Sequence, residues 1–204
     1  MTLVGFRRMH IVTTPSEASK KHYVVEGNKD LGATSTAEIS GINKEPTQVP
    51  GSDGIYAVLQ QGTGQVSVNL GLLDLPFDLE NEILGYQKTE DGFIKIGEST
   101  EPPVCAIVLE SSDMRGIPIY YGFFNGKFSK ESLTMNTKQP DSQEVEPDTY
   151  VYTPFSNDSG DLKGEMAMLH KGTEKQNEFL ALFGIDDKVE TKNLIVPDSD
   201  KKTK

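Results

Sequence analysis

Asp78 and Glu82 stand four residues apart in Asp74-Leu-Pro-Phe-Asp-Leu-Glu-Asn-Glu-Ile-Leu-Gly, a spacing that puts two carboxylates on one face of a helix. A glycosidase would use such a pair as acid and base. Its carboxyls, however, come from different elements across a cleft and need surroundings that drive their pKa values apart. Nothing in the sequence supplies that cleft, so both acids read as solvated helix side chains. His10, His22 and His170 are at neither i,i+4 nor zinc-ligand spacing and read as strand or surface residues. The single cysteine, Cys105, lies inside Val104-Cys-Ala-Ile-Val-Leu, which predicts a buried, inert thiol and allows no intrachain disulfide. Asn157-Asp-Ser-Gly-Asp lacks the alternating oxygen ligands and closing Glu of a calcium loop, and Gly62-Thr-Gly-Gln-Val-Ser lacks the Lys-Ser/Thr of a phosphate loop. No catalytic, cofactor-binding or metal-binding residue is assigned, and the chain reads as a non-enzyme without a cofactor.

The composition turns attention from chemistry to architecture. With 204 residues, 35% apolar, 19 glycines and 11 prolines, the chain is long enough for one domain and favours many short strands over a helical bundle. It carries 31 acidic and 20 basic residues, a formal charge of −11. That balance argues against gripping nucleic acid by counterion release, although an acidic surface suits a conduit that lets DNA slide past. Arg7 and Arg8 precede no long apolar run, and no stretch approaches a membrane span, so the chain is expected to be made and kept in the cytosol.

The best-specified elements lie between Gln65 and Tyr86. Val66, Val68, Leu70 and Leu72 alternate with Ser67, Asn69 and Gly71, predicting a half-buried strand. Leu75, Leu79 and Ile83 then recur at four-residue spacing, predicting a helix of about ten residues with Asp74 as N-cap, Pro76 in its first turn and Gly85 as its stop. Phe77 and Leu84 fall nearly opposite Leu75 and offer a second apolar contact.

Elsewhere strands are expected near residues 3–12, 23–25, 34–40 and 55–59, with a hairpin through Glu90-Asp-Gly joining Tyr86-Gln-Lys to Phe93-Ile-Lys-Ile. The apolar run Val104–Leu109 and the segment Ile117–Phe124 should pair as the core strands. Residues 41–54 read as a long irregular loop. A strand over 132–137 would set Ser132, Thr134 and Asn136 on a small polar face fit to line a channel, opposite Leu133, Met135 and Thr137. Strands at 150–155 and 164–169 follow. A final helix is capped by Thr173 and Gln176, carries Phe179 and Phe183, and stops at Gly184. Residues 185–204 form a polar tail in which Leu194-Ile-Val is a docking patch.

The segment LGLLDLPFDLENEILGY, with GTGQVSVNL before it and KFSKESLTMNTK later, resembles the major tail proteins of long-tailed bacteriophages, particularly the group in phages of Gram-positive hosts. Thr2-Leu-Val-Gly-Phe-Arg-Arg, Ala37-Glu-Ile-Ser-Gly-Ile-Asn-Lys-Glu-Pro-Thr and Pro102-Pro-Val-Cys-Ala-Ile-Val-Leu-Glu are similar to that family too, so the likeness spans residues 2–184. It implies a mainly β, sandwich- or barrel-like domain over residues 1–184, with one helix beside the sheets and a short one near the C-terminus. It further implies a structural virion protein that closes into hexameric rings, stacked as the tube through which DNA is ejected. Its partners would be its own copies, the tape-measure and tail-terminator proteins, and DNA only as passing cargo, without a membrane. Phe77, Leu84, Phe6, Glu45, Pro46 and Val49 become candidates for subunit contacts, with loop 41–54 reaching the neighbouring ring. Ser132, Thr134 and Asn136 become candidates for the lumen. The competing reading of the residues is an acidic β-sandwich binding module for a receptor or glycan, acting as a monomer or small oligomer.

Overall fold

The computed structural model describes residues 2–14, 20–135, 137, 145–158 and 160–185. Its spine is the expected pair of core strands. β9 (Val104–Asp113) and β10 (Pro118–Ser129) run antiparallel, in register from Pro118 opposite Ser112 to Phe123 opposite Ile107. Pro118 opens its strand, where the missing N–H costs least. Both faces of β9 are buried: Cys105, Ile107 and Leu109 point to one core, Ala106 and Val108 to another. That double burial is why the run is continuously apolar rather than alternating.

From this spine the sheet extends both ways. β1 (Leu3–Thr14) pairs with β9, and β2 (Lys21–Val25) pairs with β1 as an edge. On the other side the second half of β10 pairs with β11 (Asp148–Phe155), followed by β6 (Ser67–Leu73) and β3 (Ala33–Ser40). The first half of β10 instead takes β12 (Ala167–Lys171) as its second neighbour. The order is β2-β1-β9-β10-β11-β6-β3, with β12 branching from β10. The sheet curls until β3 approaches β1, where the Thr34 hydroxyl donates to the Phe6 carbonyl at 2.6 Å.

Inside the curl lie Met9, Ile11, Ile107, Phe123, Phe128, Tyr150 and Tyr152, together with the predicted Val66, Val68, Leu70 and Leu72. Helix α1 (Phe77–Ile83) adds Leu79 and Ile83 to this core. Helix α2 (Gln176–Leu182) covers the outer face, setting Phe179, Leu180 and Phe183 against Val12, Val108, Tyr120 and Phe124. Phe183 stacks on Phe124 at 4.6 Å between ring centroids. A β-carbon at Gly122 would overlap the Phe183 ring, so this glycine lets the helix reach the sheet.

Several expectations are corrected. α1 has seven residues, with Pro76 at its N-cap and no side-chain cap; Asp74 sits earlier, at φ +50°, in the turn leaving β6. Gly85 does end the helix, in a Schellman turn: its N–H donates to the Glu82 carbonyl and that of Tyr86 to Asn81, at 3.1 and 2.8 Å. Gly85 itself is at φ +71°, and a side chain there would overlap the Glu101 carbonyl. The Thr173 capping box does not form, because Lys175 adopts a left-handed conformation and the helix starts only at Gln176. No strand exists over the described residues of 132–137: the β10–β11 ladder ends at Ser129 opposite Val151, although β11 itself runs on to Asp148, and the chain after Ser129 leaves the sheet. Ser132, Thr134, Leu133 and Met135 are all exposed, and Asn136 lies outside the described residues.

The loop expected at 41–54 is partly a hairpin. β4 (Thr47–Gly51) and β5 (Gly54–Leu59) pair around a two-residue turn in which Ser52 and Asp53 both have positive φ, the geometry that matches the twist of a tight hairpin. This ribbon is separate from the large sheet, as is the predicted small hairpin of β7 (Gln87–Lys88) and β8 (Ile94–Lys95). Ile185, expected as the first tail residue, is buried in the α2 cluster; the remainder of the expected tail, with Leu194-Ile-Val, lies outside the described residues.

Candidate assembly surfaces

The acids of α1 serve the fold. Glu82 is half-buried and accepts three hydrogen bonds: from Thr13 on β1 at 2.9 Å, and from Lys21 and Tyr23 on β2 at 2.8 and 2.7 Å. Burial alone would push its pKa up, but the bonds from Lys21, Tyr23 and Thr13 outweigh it and hold the carboxyl below its usual value. Glu80 points the other way, accepting from Lys130 and from Tyr150, each at 2.8 Å. Lys130 also donates to Asp148 at 2.9 Å and lies 4.9 Å from the Tyr150 ring centroid. Asp78 pairs with Lys88 at the surface, at 3.2 Å. The two carboxylates that sequence spacing suggested as an acid and base therefore take separate partners, and α1 is clamped to opposite sides of the curled sheet.

His10 and His22 form a second buried polar group, whereas His170 stacks on Tyr120 and Phe179. His10 Nε2 donates to Glu110 at 2.9 Å, and His10 Nδ1 lies 2.9 Å from His22 Nε2. Arg8 bridges Glu26 at 2.8 Å and approaches Glu110 at 3.9 Å. Burial, with the neighbouring His10 second, lowers the His22 pKa to about 4. This chain ties edge strand β2 through β1 to β9. Its ring nitrogens bond to one another and to the carboxylate rather than converging on a point, and the described residues contain no group of three or more metal-binding side chains. Burial pushes the Cys105 thiol up to about 12, with Glu82 adding to it, which makes it a poor nucleophile.

The surface elements differ sharply from this interior. On the β4–β5 ribbon, Ile55, Tyr56, Val58 and Leu59 are 57–83% exposed, and Ile42 at its approach is exposed too. Glu45 and Pro46 are exposed, and Val49 is half-buried. Phe77 projects from α1 at 62% exposure, while Leu84, grouped with it in the sequence reading, is 3% exposed and belongs to the core. Leu84 is thus no surface for a neighbour in the free chain. Phe6 is half-buried and packs on the core at the β1–β3 junction.

Beside that junction opens a groove of about 330 Å³, lined by the start of β1, by β3, and by Leu109, Ile119 and Tyr121 from β9 and β10. Nothing in the sequence marked it, because it arises where two strands far apart in the chain curl together without pairing. Its lining contains no ionisable acid or base other than the phenol of Tyr121.

A chain whose polar groups are spent on holding the sheet, and whose apolar side chains stand out on a ribbon, has the character of an assembling subunit. The model of the phage tail tube protein family matches residues 10–182. The chain belongs to that family. No curated protein matches it in sequence. As a phage tail tube protein it is a structural component of a virion tail whose copies assemble into a tube. No helix among the described residues is long and apolar enough to cross a membrane.

Proposed function

We propose that copies of this tail tube protein close into hexameric rings, that the rings stack, and that DNA leaves through the resulting conduit. The observation that carries this reading is the β4–β5 ribbon. Ribbons with both strand edges free and Ile55, Tyr56, Val58 and Leu59 in water are aggregation hazards on a monomer and docking elements on a subunit. Free edges on β2, β3 and β12 give further surfaces for ring closure. Phe77, Glu45, Pro46 and Val49 contribute to contacts between copies, and the exposed Ser132 and Thr134 face the lumen. An overall charge of −11 lets the conduit pass DNA without holding it. The protein acts without catalysis; the tape-measure and tail-terminator proteins are its other virion partners, and assembly takes place in the host cytoplasm.

Adding lysines at 132 and 134 tests the lumen assignment. Slowed DNA ejection from otherwise normal tails is expected. Unchanged ejection at a range of salt concentrations would remove these residues from the channel wall.

A further inference from the structure

β1 and β3 each leave a backbone edge free where they meet. β2 covers β1 only from Met9 to Thr13, so the edge of residues 3–8 on that side has no strand partner among the described residues. β3 is the last strand in its sheet, and among the described residues β6 is the one strand that pairs with it. Both strands are irregular at this point, with register shifts between Val4 and Phe6, between Phe6 and Arg8, and between Thr34 and Thr36. The Thr34–Phe6 hydrogen bond staples the seam, and the groove opens beside it. Its floor is apolar, made of Phe6, Ile39, Leu109, Ile119 and Tyr121, with Ala37 on its rim.

We infer that this seam receives the β4–β5 ribbon of a second copy, with apolar side chains of β5 seated in the groove and the ribbon's backbone lying along the free edge of β3. The inference rests on the tube reading above and names the acceptor surface within it. Three observations favour a second copy over another occupant. The same chain carries both halves, a projecting apolar ribbon and a recessed apolar groove, and its own ribbon does not line its own groove. Both halves are close to neutral in a chain of charge −11: the ribbon carries only Asp53, at its turn, and the groove lining has no charged side chain. Copies that would repel elsewhere therefore meet at their least charged surfaces. Finally, the two patches are different, so the contact is heterologous and propagates from copy to copy instead of stopping at a dimer. Adding a strand to a free edge supplies main-chain hydrogen bonds, and the groove supplies the side-chain fit. Many such contacts, repeated along the tube, reinforce one another through the high effective concentration of neighbouring copies.

Two single variants test this in the full-length protein, Val58→Cys on the ribbon and Ala37→Cys at the groove. Both positions are exposed, and the native Cys105 is buried and unreactive. Unchanged thermal unfolding checks that each variant folds. The variants are mixed, assembled and oxidised, and linked peptides are mapped. Tubes containing a disulfide between positions 37 and 58 are the expected result. Tubes that form normally without that link, and in which the thiol introduced by Ala37→Cys still takes up a maleimide, would overturn the inference and leave the tube reading intact. Failure of the unmodified protein to form rings or tubes at any concentration would overturn the tube reading, and the inference with it.

Discussion

Helix α1 and the β4–β5 ribbon are close neighbours in the chain, and they spend their side chains in opposite ways. On α1 the acids Glu80 and Glu82 are satisfied by five hydrogen bonds from Lys130, Tyr150, Thr13, Lys21 and Tyr23, and Leu79, Ile83 and Leu84 are buried. On the ribbon no side chain enters either hydrophobic cluster, and four large apolar residues face water. A region finished within one chain stabilises that chain, whereas a region left unfinished needs another copy to complete it. Substitutions should separate the two, damaging folding in the first region and assembly in the second.

The largest effect on folding is expected from Leu84→Ala, which empties a core position: about 2–5 kcal/mol of stability should be lost in urea unfolding. A change of only a few tenths would mean that Leu84 is not buried in the solution structure. Glu82→Ala should cost about 1–3 kcal/mol, since it leaves the Thr13 and Tyr23 hydroxyls without their acceptor. Repeating it in a Tyr23→Phe background should give a smaller loss, and full additivity would argue against the three-bond clamp.

Acidification should probe the β2 edge. His22 titrates near 4 in the folded chain and near 6.5 unfolded. The unfolded state therefore binds more protons between those values, and stability present above pH 6.5 is lost as pH falls towards 4. The loss should be on the order of 1–2 kcal/mol, because part of the ring's environment is solvent-screened. His22→Gln should flatten the stability profile in that window, and an unchanged slope would assign the titration elsewhere. Smallest of all on folding is Tyr56→Ser with Val58→Ser, expected to move stability by no more than about 0.5 kcal/mol while abolishing assembly in sedimentation.

Much of the finished region was legible in sequence because its signals are local. The alternation of Val66, Val68, Leu70 and Leu72, the four-residue spacing of Leu79 and Ile83, and the paired apolar runs around Ile107 and Phe123 all report periodic burial. What joins these elements was not legible. Glu82 meets partners 59–69 residues away and His10 meets Glu110 across 100, and no spacing rule spans such distances. Leu84 was misplaced because a helical wheel assumes one packing face, whereas the sheet curls around α1 and holds it from two sides. The ribbon was half hidden by Pro50 and by a turn that places Ser52 and Asp53, neither of them glycine, at positive φ. Its exposed residues look in sequence like any other buried strand, since exposure is a property of what stands opposite. The strand expected over 132–137 failed for a related reason: alternation supplied a pattern, but among the described residues no strand pairs with this segment.

The most direct test of the tube assignment is negative-stain electron microscopy of the purified protein beside the Tyr56→Ser/Val58→Ser variant, across a concentration series. Rings or tubes from the unmodified chain, and only folded monomers from the variant, are the expected result. Monomers from both at every concentration, or tubes from both alike, would contradict the claim that the exposed ribbon is what makes this chain an assembling subunit.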